Sequence, residues 1–305
     1  MHIAKAPSPA APIRPLKGVR ILSLALNLPG PAALMRCKAM GATCVKLEPP
    51  AHPAAPLGSS GDPMAIYAQA AYAAMHQGIK TLSADLKTEP GRKVLQRELA
   101  KADVLITSFR PSALEKLGLG WKALHKTYPQ LSMVAIFGGT GTRAEEPGHD
   151  LTYMAENDLV TGLELPASLY ADMGGSLMVS EAILQARLQQ LQKGKSVRLE
   201  VALSEAAAYL GLPRTWGLTT TGAAVGGGHA GYRVYACKDG RVAMAALEPH
   251  FAAALGQAAG LPDSRIQTMF MPAAHATIAT FLASKTRKQL DALARANDIP
   301  LHTLD

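Results

Sequence analysis

Between Gly18 and Gly138 the chain alternates short apolar runs with longer segments of mixed character. The run GVRILSLAL, Gly18 to Leu26, is apolar, short and closed by Asn-Leu-Pro-Gly-Pro, which predicts a buried strand ending in a turn. PAALMRCKAMGA then has helical spacing and stops at Gly41, and ATCVKLEPP reads as a second strand closed by Pro49 and Pro50. Strand, short helix and strand at this spacing make a βαβ unit, hence parallel pairing. The pattern returns downstream. TLSADL reads as a strand, GRKVLQRELAKA as an amphipathic helix, DVLITSF as a strand, SALEKLGLGWKALHKTYP as one helical segment and LSMVAIFG as another strand. At least four parallel strands alternating with helices over residues 17–138 predict a doubly wound, Rossmann-like α/β domain.

The later chain has a different texture. A long helix, SLMVSEAILQARLQQLQKGK, is expected to leave the domain between about Gly174 and Lys193, followed by a strand and helix in VRLEVALSEAAAYLGL. TTTGAAVGGGHAGY is Gly/Thr-rich and reads as a linker or loop. GYRVYACKDGRVAMAAL predicts a hairpin turning at Lys238-Asp239-Gly240, and FAAALGQAAGL and RKQLDALARAN predict two helices. The predicted layout is a Pro/Ala-rich arm over 1–15, a large α/β domain over 16–185, a helical linker over 186–230 and a smaller α+β domain over 231–305.

Composition narrows the partners. The chain has 305 residues, 18% of them charged and 48% apolar, an ordinary α/β profile with a large core. No apolar run reaches membrane-span length, and no charged-then-apolar leader precedes residue 15, so a cytoplasmic, non-membrane protein is expected. Cys37, Cys44 and Cys237 are odd in number and lack metal spacing, which argues against a disulfide framework. A net charge of +8 favours anionic partners. With no basic run, zinc motif or aromatic-studded basic strand, nucleic acid is not expected, and a phosphorylated small molecule fits better. Neither a metal-ligand cluster nor a nicotinamide fingerprint is present in the sequence.

Ligands of doubly wound sheets sit beyond the carboxyl ends of the strands, which points to NLPGP, SFRP and FGGTG. FGGTG lacks the Lys-Ser/Thr of a phosphate loop and reads as a tight turn. Arg110 ends a strand before a proline; an anion contact and a surface salt bridge are equally open. In PGHDLTY, His149 and Asp150 stand next to glycine; in YADMGG, Asp172 does. Asp150 reads as the cap of a helix starting at Leu151, and Asp172 either as the cap of the long exit helix or as a base or nucleophile. Glu248, in ALEPHF, reads as another strand-to-helix cap.

Together these segments resemble one family, the class III CoA-transferases, which includes formyl-CoA and carnitine CoA-transferases and the α-methylacyl-CoA racemases. PLKGVRILSLALNLPGPAALMRCKAMGATCVKLEPP is similar to the family's first βαβ unit, and GIKTLSADLKTEPGRKVLQRELAKADVLITSFRPSALEKLGLGWKAL is similar to the segment that follows. The resemblance runs from about Pro15 to the last residue. It implies the class III CoA-transferase fold, coenzyme A as part of an acyl-CoA substrate and no covalently bound cofactor. It also implies a homodimer, in the family an interlocked one. The Asp of YADMGG, here Asp172, matches the acyl-accepting nucleophile of the transferases and one of the two racemase bases. The GHD pattern makes His149 the second base, as in the racemase branch, and GYRVYACKDGRVAMAALEPHF places the histidine-supporting glutamate at Glu248, which in the family reaches the site across the dimer. Arg110, Lys80, Gly174 and Gly175 are the implied coenzyme A contacts, and backbone N–H groups near Asp172 the implied donors to the enolate oxygen.

The sequence departs from the family pattern in several places. The stretch from Tyr153 to Tyr170 is short. The basic Asn-Arg-Gly-Lys-Arg turn appears as His76-Gln77-Gly78-Ile79-Lys80, and an arginine after the second strand is replaced by Pro49 or Pro50. The chain stops at NDIPLHTLD, where relatives continue onto the large domain. Three readings follow: a 2-methylacyl-CoA racemase using His149 and Asp172, a CoA-transferase working through an aspartyl-CoA intermediate at Asp172, and a degenerate homologue that binds coenzyme A without catalysis.

Overall fold

The computed structural model describes residues 13–55 and 59–305, so most of the expected N-terminal arm lies outside the described residues. The chain divides into two compact units, Met1–Gly211 and Leu212–Asp305.

The first unit contains β1 (Arg20–Ser23), α1 (Pro29–Ala39), β2 (Thr43–Glu48), α2 (Met64–Tyr67), α3 (Gln69–Met75), β3 (Lys80–Ser83), α4 (Glu89–Leu99) and β4 (Val104–Thr107). It continues with α5 (Pro111–Lys116), α6 (Trp121–Thr127), β5 (Ser132–Phe137), α7 (Asp150–Glu156), α8 (Tyr170–Lys193), β6 (Arg198–Ala202) and α9 (Leu203–Thr215), within which the division falls. Six strands form one sheet in the order β3-β2-β1-β4-β5-β6, every neighbouring pair parallel.

Side-chain alternation explains the double winding. Ile21, Val104, Ile106, Val134 and Ile136 point to one face, where they meet Leu34 and Cys37 of α1 and Val179 and Ile183 of α8. Leu22, Leu105, Met133 and Phe137 point to the other, against Leu95 and Leu99 of α4, Leu114 of α5 and Leu124 of α6. Strands with both faces covered read as continuous apolar runs, and β5, SMVAIF, is buried at all of its 6 positions. Each such side chain contributes about 1.5–3 kcal/mol on full burial.

Local signals set the ends. Pro29 opens α1, where its missing N–H costs nothing, and Gly41 follows the helix at φ 97, a conformation open to glycine. The single helical segment expected over Ser112–Pro129 is two helices, α5 and α6. The chain breaks at Leu117–Gly120, where Gly118 takes φ 69. Residues 186–211, read from sequence as linker, carry the end of α8, the sixth strand β6 and the start of α9.

The second unit holds β7 (Tyr232–Cys237), β8 (Gly240–Ala245), α10 (Pro249–Ala259), α11 (Ile266–Met269), α12 (Pro272–Ala283), α13 (Arg287–Asn297) and β9 (Leu301–Leu304). The expected hairpin is present, with Cys237 paired to Gly240 across its turn, and β9 adds an antiparallel third strand. Val242, Met244, Leu255, Ile278, Leu282 and Leu290 centre its separate core. No helix among the described residues is long and apolar enough to cross a membrane.

Candidate active site

Strand order in the large sheet reverses between β1 and β4, and crevices of such sheets open at that point beyond the carboxyl ends. A cavity of about 170 Å³ lies there, lined in part by Asn27 after β1, Ser108 and Arg110 after β4, Gly138 after β5, and His149 and Asp172. The structure thus brings together His149, Asp172 and Arg110, three of the residues singled out from sequence.

His149 is the N-cap of α7 with extended backbone (φ −141), and its N–H donates to Thr152 Oγ1 at 3.1 Å. The cap is therefore one residue earlier than expected, and Asp150 is the first helical residue. Asp150 is buried at 4% exposure, where a carboxylate is favoured by the helix N-terminus. Its Oδ1 accepts the backbone N–H of Asp172 at 2.9 Å. The helix carrying Asp172 begins at Tyr170, so Asp172 lies in the first turn of α8 and is not its cap. Its carboxyl is pushed up to about 7, first by burial and second by the charge of Asp150.

That geometry removes two of the expected enolate donors. The N–H of Asp172 is held by Asp150, and the N–H of Met173 donates to Leu169 O at 3.0 Å, so neither is available to a substrate oxygen.

Gly174 and Gly175, expected against coenzyme A, are buried and face α9. A Cβ on Gly174 would stand 3.0 Å from Leu210 Cδ1, and one on Gly175 only 2.3 Å from Leu203 Cδ2. Their small size serves helix packing. Lys80, the other expected contact, is the exposed first residue of the edge strand β3, at its amino end, whereas the cavity opens at carboxyl ends; it does not line the cavity. Arg110 is exposed at the N-cap position of α5 and does line it. Glu248 belongs to the second unit, where it is the exposed residue ahead of α10.

Several residues in and near the site had no chemical role assigned from sequence. Tyr153 is 7% exposed and lines the cavity. A Cβ on Gly138 would stand 2.3 Å from its hydroxyl oxygen and one on Gly148 2.6 Å, so the glycines of FGGTG and PGHD make room for this ring. Lys46 of β2 is fully buried, and its Nζ pairs with Asp62 at 2.5 Å and Glu48 at 3.3 Å. Tyr72 donates to Glu48 at 3.0 Å, and the buried His76 beside it leaves Nε2 without a partner. A second, apolar cleft of about 210 Å³ shares Leu26 with the cavity and is lined by Ala84, Leu86, Lys87 and Phe109 among others.

A model of CoA-transferase family III matches residues 16–305. The chain is 30% identical to the mouse (Mus musculus) alpha-methylacyl-CoA racemase over 296 residues, covering 90% of this chain and 73% of the racemase. It is 31% identical over 212 residues to a probable fatty acyl-CoA transferase of Mycobacterium tuberculosis, Rv3272, covering 65% of this chain but 53% of that protein. A crystal structure of Rv3272 superposes with a TM-score of 0.79 at 25% identity, over 97% of this chain and 84% of the other. A CAIB/BAIF family protein from Brucella suis shares the fold, with a TM-score of 0.75 at 24% identity over 96% of this chain and 85% of that one. With a cavity at the switch point of a parallel sheet and a match over nearly its whole length, the chain belongs to CoA-transferase family III.

Proposed function

We propose that the chain is a 2-methylacyl-CoA racemase that inverts the α-carbon by two-base proton transfer between His149 and Asp172. The observation that carries this reading is the pairing, in one cavity, of His149 with a carboxyl pushed up to about 7. The α-proton of a thioester is weakly acidic, and inversion needs one group to take a proton from one face while another returns a proton to the other. A carboxyl that titrates near neutrality serves as base in one direction and acid in the other, and such steps contribute about 10²–10⁴-fold each. Asp150 supports the role by raising Asp172 and by fixing its backbone.

The cavity is too small for a whole acyl-CoA, so in this reading it takes the thioester and the α-carbon. The apolar cleft lined by Leu86 and Phe109, with the exposed Lys87, suits a flat purine, and Arg110 of the cavity suits a phosphate. No further cofactor enters the reaction. Glu248 enters on the resemblance alone, as does the homodimer. Exposed apolar side chains along α8 and α9, among them Leu177, Leu188, Leu191 and Tyr209, agree with a partner surface there.

A second reading is favoured by the mycobacterial transferase likeness: Asp172 attacks the thioester carbonyl, expelling the CoA thiolate to leave an acyl-aspartyl anhydride. CoA-transferase chemistry then requires an acceptor acid, which racemisation does not. The deciding experiment is proton NMR of a single-epimer 2-methylacyl-CoA in D₂O with no acceptor acid present. Exchange of the α-hydrogen with appearance of the other epimer supports the racemase. Absence of exchange, with coenzyme A binding established by calorimetry, overturns it, and CoA transfer to added carboxylates then identifies the transferase.

A further inference from the structure

Enolate formation needs a hydrogen-bond donor for the thioester oxygen, and the N–H groups of Asp172 and Met173 are already engaged. Asn27 stands in the same cavity with a donor that is not. We propose that the side-chain amide of Asn27 donates to the thioester oxygen as negative charge develops on it, and that Tyr67 and Asp62 are positioning residues that hold the amide in place. This rests on the acyl-CoA reading of the cavity.

The backbone at Asn27 is the first observation. It lies in the left-handed region at φ 62, one of 3 non-glycine residues there among those described. That conformation costs most L-residues about 1–2 kcal/mol, asparagine less, and outliers of this kind concentrate at functional sites. Asn27 is clamped in it: its N–H donates to Asp62 Oδ1 at 3.1 Å. Asp62 is itself fully buried, held by Lys46 Nζ at 2.5 Å and by the N–H of Met64 at 2.9 Å.

The side chain is the second observation. The Tyr67 hydroxyl stands 3.4 Å from Asn27 Oδ1, and in this orientation of the amide Nδ2 is the free end. No acceptor among the described residues takes either Nδ2 hydrogen. Asn27 is half-buried and lines the cavity with His149 and Asp172.

The chemistry suits a neutral amide. One base takes the α-proton, the C–H electron pair becomes the C=C bond of the enolate, and the carbonyl π pair moves onto oxygen. An amide N–H strengthens its bond to that oxygen without surrendering its proton, and the electrons return as the second acid delivers a proton to the opposite face. Removing one such donor typically lowers kcat by about 10²–10³-fold.

Asn27→Gly is the discriminating variant, because glycine keeps φ 62 without strain while losing the amide. The expected result is a fall of about 10²-fold or more in α-proton exchange of a single-epimer 2-methylacyl-CoA in D₂O, with KM and calorimetric coenzyme A affinity retained. Tyr67→Phe removes one hydroxyl from an exposed ring and should give a smaller loss confined to kcat. Full exchange in Asn27→Gly overturns the proposal and leaves the acyl-CoA reading standing. So does a loss of coenzyme A affinity that accounts for the whole fall in rate. If the unmodified protein shows neither exchange nor CoA transfer, that arm alone removes the acyl-CoA reading and this proposal with it.

Discussion

The backbone N–H of Asp172 donates to Oδ1 of Asp150 at 2.9 Å, tying the first turns of two helices together across 22 residues of sequence. The bond does more than fix geometry. It holds a buried carboxylate beside Asp172 and so helps lift the Asp172 carboxyl into the range where proton transfer at neutral pH is efficient.

Asp150→Asn keeps an oxygen for that bond and removes the charge. In the proposed racemisation, either direction uses the His149–Asp172 pair carrying one proton, so kcat/KM for both epimers should follow the same bell-shaped profile, whose apparent pKa values belong to the pair. In Asp150→Asn the limb near 7 should move to lower pH. The move should be partial, because burial is the larger cause. Profiles measured for both epimers check this, and an unmoved limb would mean that Asp150 acts only through geometry.

Asp172 also links stability to pH. Its folded value, about 7, lies above its unfolded value of 3.8, so the native state holds the proton more tightly. The stabilisation is fully present below 3.8 and is lost as pH rises through 7. Asp172→Asn cannot ionise and should gain on the parent across that window, by up to about 4 kcal/mol at pH 8 and little at pH 4. Urea midpoints at the two pH values test the sign, and an equal effect at both would count against a buried, proton-holding carboxyl.

At Gly175 an added methyl meets Leu203, itself a cavity-lining residue, at 2.3 Å. Gly175→Ala should cost about 1–3 kcal/mol through overpacking and should lower the rate as Leu203 is pushed aside. Combining it with Leu203→Val should recover part of both. Thermal unfolding and exchange rates of the single and double variants measure the coupling.

Lys46→Met would leave Asp62 buried without its partner. The expected cost is about 3–5 kcal/mol, the usual consequence of orphaning a buried charge. Adding Asp62→Asn should return much of it. Urea denaturation of the three proteins separates the charge effect from a simple packing defect, for which the double variant would be no better than the single one.

The parallel architecture was legible because both-face burial forces apolar runs in β4 and β5, bounded by turn residues. Elements without that signature were harder to place. β6, RLEVA, is only half buried, so its sheet membership rests on pairing with β5 and not on its own pattern. The 4-residue β9 gains its strand geometry from the β8 ladder. The break between α5 and α6 turned on Gly118, in a segment whose apolar spacing alone runs on as helix.

For the site, local context left His149, Asp172 and Arg110 open between structural and chemical uses, and it was the family resemblance that singled them out. The resemblance could not say that Lys80, Gly174 and Gly175 stand outside the cavity lining, because the end of a strand and the face of a helix to which a residue belongs are settled by neighbours far away. The amino-acid sequence by itself determined the strand and helix periods, and with them a doubly wound sheet and its ligand-binding edge. Only the tertiary structure decided that Asp150 lies against Asp172, that Asp62 clamps Asn27 in a left-handed turn, and that Tyr153 occupies the space left by two glycines. Periodicity is a short-range property of the chain, whereas burial, pKa and hydrogen-bond partnership arise from contacts between segments that meet only when the sheet has closed.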